Sequence, residues 1–249
     1  MKNIYLITGN KGGIGKTFTS ILLSDYLIRN ATNQKLYFSD CESANGQGTF
    51  FNFMHNNTND LIYNWDLTTD YGYEKMVNDI DMFEDNSSTV IDTGASMLYR
   101  LNENSSFLSY IKENGDFNIN IIFIVGSLKD SSVSARLFIK SFMNYKNIKP
   151  SFLLVASTAA ESAERSFDFE YQEDIQRAMV ELKIKKYFLE YVQQNYFDLI
   201  MKQFMLPCKI ISNKEIPLGT RSKFNLWLKM KSDPLFQDIV AGESAVQNQ

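Results

Sequence analysis

Apolar residues recur along this chain in two rhythms. Asn3-Ile4-Tyr5-Leu6-Ile7-Thr8 is a short run of β-formers closed by Gly9, the pattern of a strand buried on both faces. From Lys16 to Arg29 the apolar positions Phe18, Ile21, Leu22, Tyr26 and Leu27 fall at helical spacing. Lys35 to Ser39 then gives a second strand that ends at Asp40. Strand, glycine loop, helix and strand in this order make a βαβ unit.

Further along, the stretch 50–85 is aromatic, polar and acidic, and its spacing predicts one short helix near Tyr73–Ile80. A third strand ends over Thr89–Asp92, and Asn120–Val125 and Ser151–Ala156 read as two more. Helices are expected over Phe107–Glu113 and Ser132–Tyr145, and one or two long ones over 170–205. Lys209–Ser212 reads as a last short strand and Lys223–Lys231 as a final helix, with Asp233-Pro234 breaking the chain. Alternating strands and helices predict an α/β fold, a mostly parallel sheet with helices on both faces. Residues 1–240 are expected to form one domain and 241–249 a flexible polar tail.

Length and composition narrow the class. A chain of 249 residues holds one sizeable α/β domain, and 44% apolar content provides a core. The net charge of −4 argues against a generally basic nucleic-acid binder. The charge is nonetheless segregated. Asp60 to Asp92 holds nine acidic residues and one basic, whereas Lys202 to Lys231 holds seven basic and one acidic. Both a solvated helical face and a surface for an anionic partner fit the basic stretch. Cys41 and Cys208 form no CxxC pair and His55 is the sole histidine, which argues against a disulfide framework or zinc site. This usage and the absence of a signal-peptide layout lead us to expect a cytoplasmic protein. No apolar run approaches the ~20 residues that would span a bilayer.

The chemistry concentrates in Lys11-Gly12-Gly13-Ile14-Gly15-Lys16-Thr17, between the first strand and the first helix. This is a P-loop variant, with Asn10 where the general pattern has glycine. Glycines let the backbone wrap phosphate oxygens, with N–H groups pointing inward as a nest. The helix N-terminus adds positive potential. Gly12, Gly13, Ile14, Gly15, Lys16 and Thr17 would form an ATP cradle, Lys16 reaching the β- and γ-phosphates and the Thr17 hydroxyl binding Mg²⁺. Two carboxylate-bearing strand ends follow, Asp40-Cys41-Glu42-Ser43-Ala44-Asn45 and Ile91-Asp92-Thr93-Gly94-Ala95-Ser96. Carboxylates at the C-terminal ends of parallel strands lie beside such a loop, where ligands bind.

Lys11 with the glycine pair after it resembles the deviant Walker A signature of the ParA/MinD family of ATPases. That resemblance implies ATP binding, face-to-face homodimerisation with two nucleotides between the subunits, and slow hydrolysis. Lys11 would reach the partner's nucleotide. Asp40 matches the family's first acid, which bonds to the magnesium shell, and Asp92 matches the Walker B acid. Glu42 stands where the family has the Asp that positions the attacking water, and Ser43 replaces a proline. Phe18 after Lys16-Thr17, Asn45, the stretch Ile91 to Ser96 and Arg221-Ser222-Lys223-Phe224 resemble the TraL/StbB-type proteins of conjugative plasmids. This closer likeness implies a role in plasmid stability, positioning or transfer, with a plasmid-encoded partner and possible contact with DNA. Many family members read adenine with an Asn where this chain has Ser157-Thr158, so Asn213 in the loop to Pro217 is the candidate base contact.

The remaining signals are weaker. His55 reads as a surface residue and Cys41 as a packing residue beside the loop. Lys183, Lys185 and Lys186 with Tyr187 and Phe188 read as a basic-aromatic helix that buries its rings. No terminal amphipathic membrane helix is evident, so no stable membrane insertion is expected. Two other readings stay open: a nucleotide-dependent scaffold or adaptor that hardly hydrolyses, and a metabolic P-loop enzyme.

Overall fold

The computed structural model describes residues 2–9, 12–30, 34–41, 48–94, 117–125, 130–142, 148–156 and 172–241. These residues contain seven strands: β1 (Lys2–Thr8), β2 (Lys35–Asp40), β3 (Leu61–Asn64), β4 (Ser87–Asp92), β5 (Phe117–Val125), β6 (Ile148–Val155) and β7 (Lys185–Leu189). They form one sheet in the order β3-β2-β4-β1-β5-β6-β7, and every neighbouring pair is parallel. The helices are α1 (Lys16–Asn30), α2 (Thr49–His55), α3 (Asp70–Asp81), α4 (Asp130–Phe142), α5 (Glu173–Glu181), α6 (Gln194–Met201), α7 (Pro207–Ser212), α8 (Leu218–Trp227) and α9 (Asp233–Ala241). A π-helical turn, Leu228–Ser232, joins the last two.

The two-residue period of a strand sorts the core into two layers. Tyr5 and Ile7 lie on one face with Phe38, Val90, Ile122 and Ile124, covered by α1, α2 and α6 to α9. Ile4 and Leu6 lie on the other with Tyr37, Ile91, Ile121 and Phe123, covered by α3, α4 and α5. Burial on both sides explains why β1 and β5 read as unbroken apolar runs. The fold is therefore the expected single α/β domain, all its described strand pairs parallel and helices on both faces.

Several local expectations fail, each for a physical reason. The span 170–205 is not one or two long helices but α5, β7 and α6. Lys185, Lys186, Tyr187 and Phe188 accordingly stand on the edge strand β7, not on a helix. Lys183 before it adopts φ 54, a left-handed turn that stops α5 from continuing. Lys209–Ser212 is helical, inside α7, which Pro207 opens at the position where a missing N–H costs nothing. Asp233-Pro234 does not break the chain. Asp233 N–H donates to the Leu228 carbonyl five residues back, so the π turn precedes the proline and helix resumes beyond it. The acidic middle holds more than one helix: α2 and the edge strand β3 both precede the expected α3. The expected helix over Phe107–Glu113 lies outside the described residues.

Asp25, fully buried on α1, joins that helix to α7 and, through Arg29, to α9. It accepts Arg29 Nε–H at 2.8 Å and the Cys208 backbone N–H at 2.8 Å, while Arg29 clamps Asp233 of α9 through both terminal nitrogens at 2.7 and 3.1 Å. Burial, then the charge of Asp25, pushes the Cys208 thiol up to about 12. Burial also raises the Cys41 thiol above its ordinary value. Because the thiolate is the nucleophile, both thiols of the folded chain are expected to resist iodoacetamide at pH 8. Mass spectrometry should find rapid double labelling only after unfolding. Fast labelling of the native chain at Cys208 would contradict the assigned environment.

Candidate functional site

Strand β1 sits between β4 and β5; the chain runs from it to β2 on the β4 side, and later crosses from β4 to β5 on its other side. The C-terminal edge of β1 is therefore the crevice where open parallel sheets bind ligands. The glycine loop emerges at this edge. Gly13 has φ 74 and Gly15 φ 99, both in the left-handed region, which only glycine enters at little cost. A side chain on Gly15 would also meet Val155 at 3.0 Å. These two turns bring the backbone back on itself just before α1, whose ladder begins with Thr19 N–H donating to the Gly15 carbonyl at 2.9 Å.

Lys16 is buried at the first position of α1. Thr17 beside it donates its hydroxyl to Asp92 Oδ2 at 2.7 Å, and Ser20, one turn on, donates to Asp92 Oδ1 at 2.9 Å. Asp92 at the end of β4 is thus held by two hydroxyls of α1. With its proton committed to Asp92, Thr17 Oγ1 keeps its lone pairs for another ligand. Thr93 is fixed in turn: its amide and hydroxyl both donate to the Ile7 carbonyl, at 3.1 and 2.9 Å.

Asp40 is the register partner of Asp92 on the adjacent strand, and the Cys41 N–H donates to the Asp92 carbonyl at 2.8 Å. Asp40 is fully buried. Its Oδ2 accepts the Phe51 amide at 2.9 Å, so a strand-end carboxylate sits on the positive N-terminus of α2. Gly48 makes this approach possible, since a Cβ there would lie 2.1 Å from Asp40 Oδ2 and 2.4 Å from its Cγ. Gly48→Ala is expected to force Asp40 off the α2 amide. The loss in stability should be about 1–3 kcal/mol, read as a lower denaturant midpoint; an unchanged midpoint would show that Asp40 relocates without strain.

The arrangement gathers Gly12, Gly13, Gly15, Lys16, Thr17, Asp40 and Asp92 at one edge of the sheet. Loop amides and a lysine can hold a polyanion, and a hydroxyl with two neighbouring carboxylates can hold a hard cation. Ile14 packs partly into the α1-side core. The Phe18 ring is also buried there, 5.4 Å from the ring of Phe197, which leaves its backbone amide in the first turn of α1 for a ligand. Asn213 caps the end of α7 and accepts the Glu215 N–H at 2.9 Å in a local turn. Lys11, Glu42, Ser43, Asn45, Ala95, Ser96, Ser157 and Thr158 lie outside the described residues. Sequence reading missed Ser20, Gly48 and Phe51. The signal for Ser20 was its place one helical turn after Lys16-Thr17; for the other two none was legible.

No protein-family model and no curated protein sequence matches this chain. Solved structures do resemble it. The MinD cell division protein of Aquifex aeolicus aligns with a TM-score of 0.53 at 13% identity, over 98% of this chain and 97% of that one. A chain of the MinC:MinD cell division protein complex of the same organism aligns at 0.52 and 12% identity, over 98% and 96%. A ParA family ATPase from Chlorobium tepidum aligns at 0.50 and 11% identity, over 90% and 98%. At these identities the likeness is one of fold, and end to end: the chain shares the parallel α/β fold of these MinD and ParA family structures.

Proposed function

We propose that this protein is an ATP-binding, slowly ATP-hydrolysing switch that closes as a homodimer on nucleotide. The observation that carries the reading is the left-handed turn at Gly13 and Gly15, which delivers Lys16 and the Asp92-bonded Thr17 hydroxyl to the switch-point edge of the sheet. The resemblance of Lys11 to Thr17 to the deviant Walker A signature supports ATP as the ligand. So do the end-to-end folds of a ParA family ATPase and of MinD.

In this reading the amides of Gly12 to Thr17 wrap the phosphates and Lys16 neutralises the β- and γ-oxygens. The donor set fits Mg²⁺: one hydroxyl oxygen with its proton already placed, a buried carboxylate at Asp40 and another at Asp92, all of them hard oxygen donors. Magnesium supplies charge neutralisation to the transferring phosphoryl group. Thr17 would bind it directly, with Asp40 and Asp92 accepting from its water shell. Glu42 would orient the attacking water and Lys11 would reach the partner subunit's nucleotide. Phe18 contributes its amide and Asn213 contacts the base.

The biological role we propose is plasmid stability, partition or positioning, or conjugative transfer, exerted in the cytoplasm through a plasmid-encoded partner and through DNA bound directly or by that partner. The sequence likeness to TraL/StbB-type proteins supports it, and MinD solved with MinC illustrates a partner on this fold. Among the described residues no helix is long and apolar enough to cross a membrane. We assign residues 1–240 to the ATPase domain and 241–249 to a tail. A second reading, a nucleotide-dependent scaffold with little hydrolysis, is favoured by Glu42 and Ser43 replacing Asp and Pro.

Light scattering with and without Mg-ATP, paired with phosphate release, tests both readings. The expected result is an ATP-dependent doubling of mass that Lys11→Ala abolishes, together with slow phosphate release lost in Lys16→Ala and Glu42→Ala. Doubling without phosphate release would favour the scaffold. No change in mass with ATP would overturn the switch.

A further inference from the structure

The segregated charge seen in the sequence takes a definite form in the fold. The acidic stretch includes α3, which packs on one side of the sheet through Tyr73, Met76 and Ile80. The basic stretch includes α8 and the π turn, which pack on the opposite side through Phe224 and Leu228. Each presents large apolar residues to solvent. On the α3 surface Tyr71 is 74% and Met82 86% exposed, bordered by Asp70, Glu74, Asp81 and Glu84. The nearby cations are already committed, Lys75 to Asp79 at 2.7 Å and Lys2 to the Asp81 carbonyl at 2.6 Å. On the α8 surface Leu218, Leu226 and Met230 are 70%, 57% and 60% exposed, among Lys214, Lys223 and Lys229.

We propose that these two surfaces dock on one another between copies of this chain, α3 of one molecule against α8 and the π turn of the next. Two observations select a second copy as the occupant. The patches are complementary in charge, and each exposes apolar side chains of the size that anchors interfaces. A polyanion would use the lysines and leave the acidic, apolar α3 surface unexplained, whereas a second copy uses both. Because the patches lie on opposite faces of one sheet, a chain cannot satisfy them internally. Because they are different patches, the contact is head to tail and does not close at two subunits. It is thus distinct from any nucleotide-bridged dimer, and stands or falls independently of the ATP reading.

Sedimentation velocity of the full chain without nucleotide tests this across protein concentration, at low and high salt. The expected result is a mass that keeps rising with concentration past two chains and falls as salt screens the charges. The same behaviour is expected of Lys16→Ala, which separates it from nucleotide-driven dimerisation. Lys223→Glu/Lys229→Glu makes both surfaces acidic, and Glu74→Lys/Asp81→Lys makes both basic. Each alone should weaken association by about tenfold or more through like-charge contact, with an unchanged melting temperature confirming that these exposed sites leave the fold intact. An equimolar mixture should assemble again, because every junction then pairs acid with base. A wild type that stays monomeric would overturn the proposal. So would a mixture that fails to assemble, or lysines that prove to bind nucleic acid while the chain remains monomeric.

Discussion

Lys16→Ala is expected to lose Mg-ATP affinity by roughly a hundredfold or more, the scale of removing a buried charge that pairs with another. Lys16 is buried where α1 begins, between the left-handed Gly15 and the Asp92-bonded Thr17. Loop amides contribute partial charges, but Lys16 is the full positive charge of the described cradle. Thermal melting reads the loss without any assay of turnover. At a ligand concentration of ~100 times Kd, binding stabilises a native chain by about 2.7 kcal/mol. For a domain of this length that raises the melting temperature by about 5–10 °C. The wild type should show this rise with Mg-ATP and Lys16→Ala should not, each measured against its own melting temperature without nucleotide. Lys16→Arg keeps the charge on a wider, planar head and should recover only part of the shift. An equal rise in wild type and Lys16→Ala would sink the assignment of the glycine loop as the phosphate cradle.

What the sequence disclosed about this site follows from how local each feature is. The glycines, Lys16 and Thr17 are contiguous, and Asp92 closes an apolar strand, so spacing alone placed them. Ser20 and Gly48 act through contacts that spacing does not encode. Ser20 meets Asp92 across 72 positions, and Gly48 matters only because the Asp40 carboxylate packs where its Cβ would be. The fold divides in the same way. Central β1 and β5 are buried on both faces and read clearly. The edge strands do not: β7 begins with two exposed lysines, and β3 is four residues with none fully buried. One-sided pairing removes the continuous apolar run by which a buried parallel strand is recognised. Helix α7 fails in the opposite direction, because Ile210 and Ile211 in six residues look like a strand. Only its docking beside α1, through the Cys208 amide on Asp25, reveals what it is.

That docking carries the second large expectation. Arg29→Ala should destabilise the chain by about 3–5 kcal/mol, because it strips a buried carboxylate of its countercharge. Asp25 has no exposed surface, and Arg29 is its cationic partner among the described residues. Burial opposes the charge on Arg29, yet hydrogen bonds to Asp233 and Asp25 outweigh it and hold the guanidinium above its ordinary pKa. The arginine therefore stays charged at every accessible pH and locks α1 to α9. Its loss should lower the melting temperature by about 10 °C. The cause is tested by Asp25→Asn in the Arg29→Ala background. If the penalty is an unpaired buried charge, replacing it with a neutral amide should recover part of the stability, and the double variant should melt above Arg29→Ala. If the two losses simply add, the arginine works through its guanidinium over the Tyr26 ring and its clamp on Asp233 rather than by compensating Asp25. Asp233→Asn, at the more exposed end of the clamp, should cost less than either.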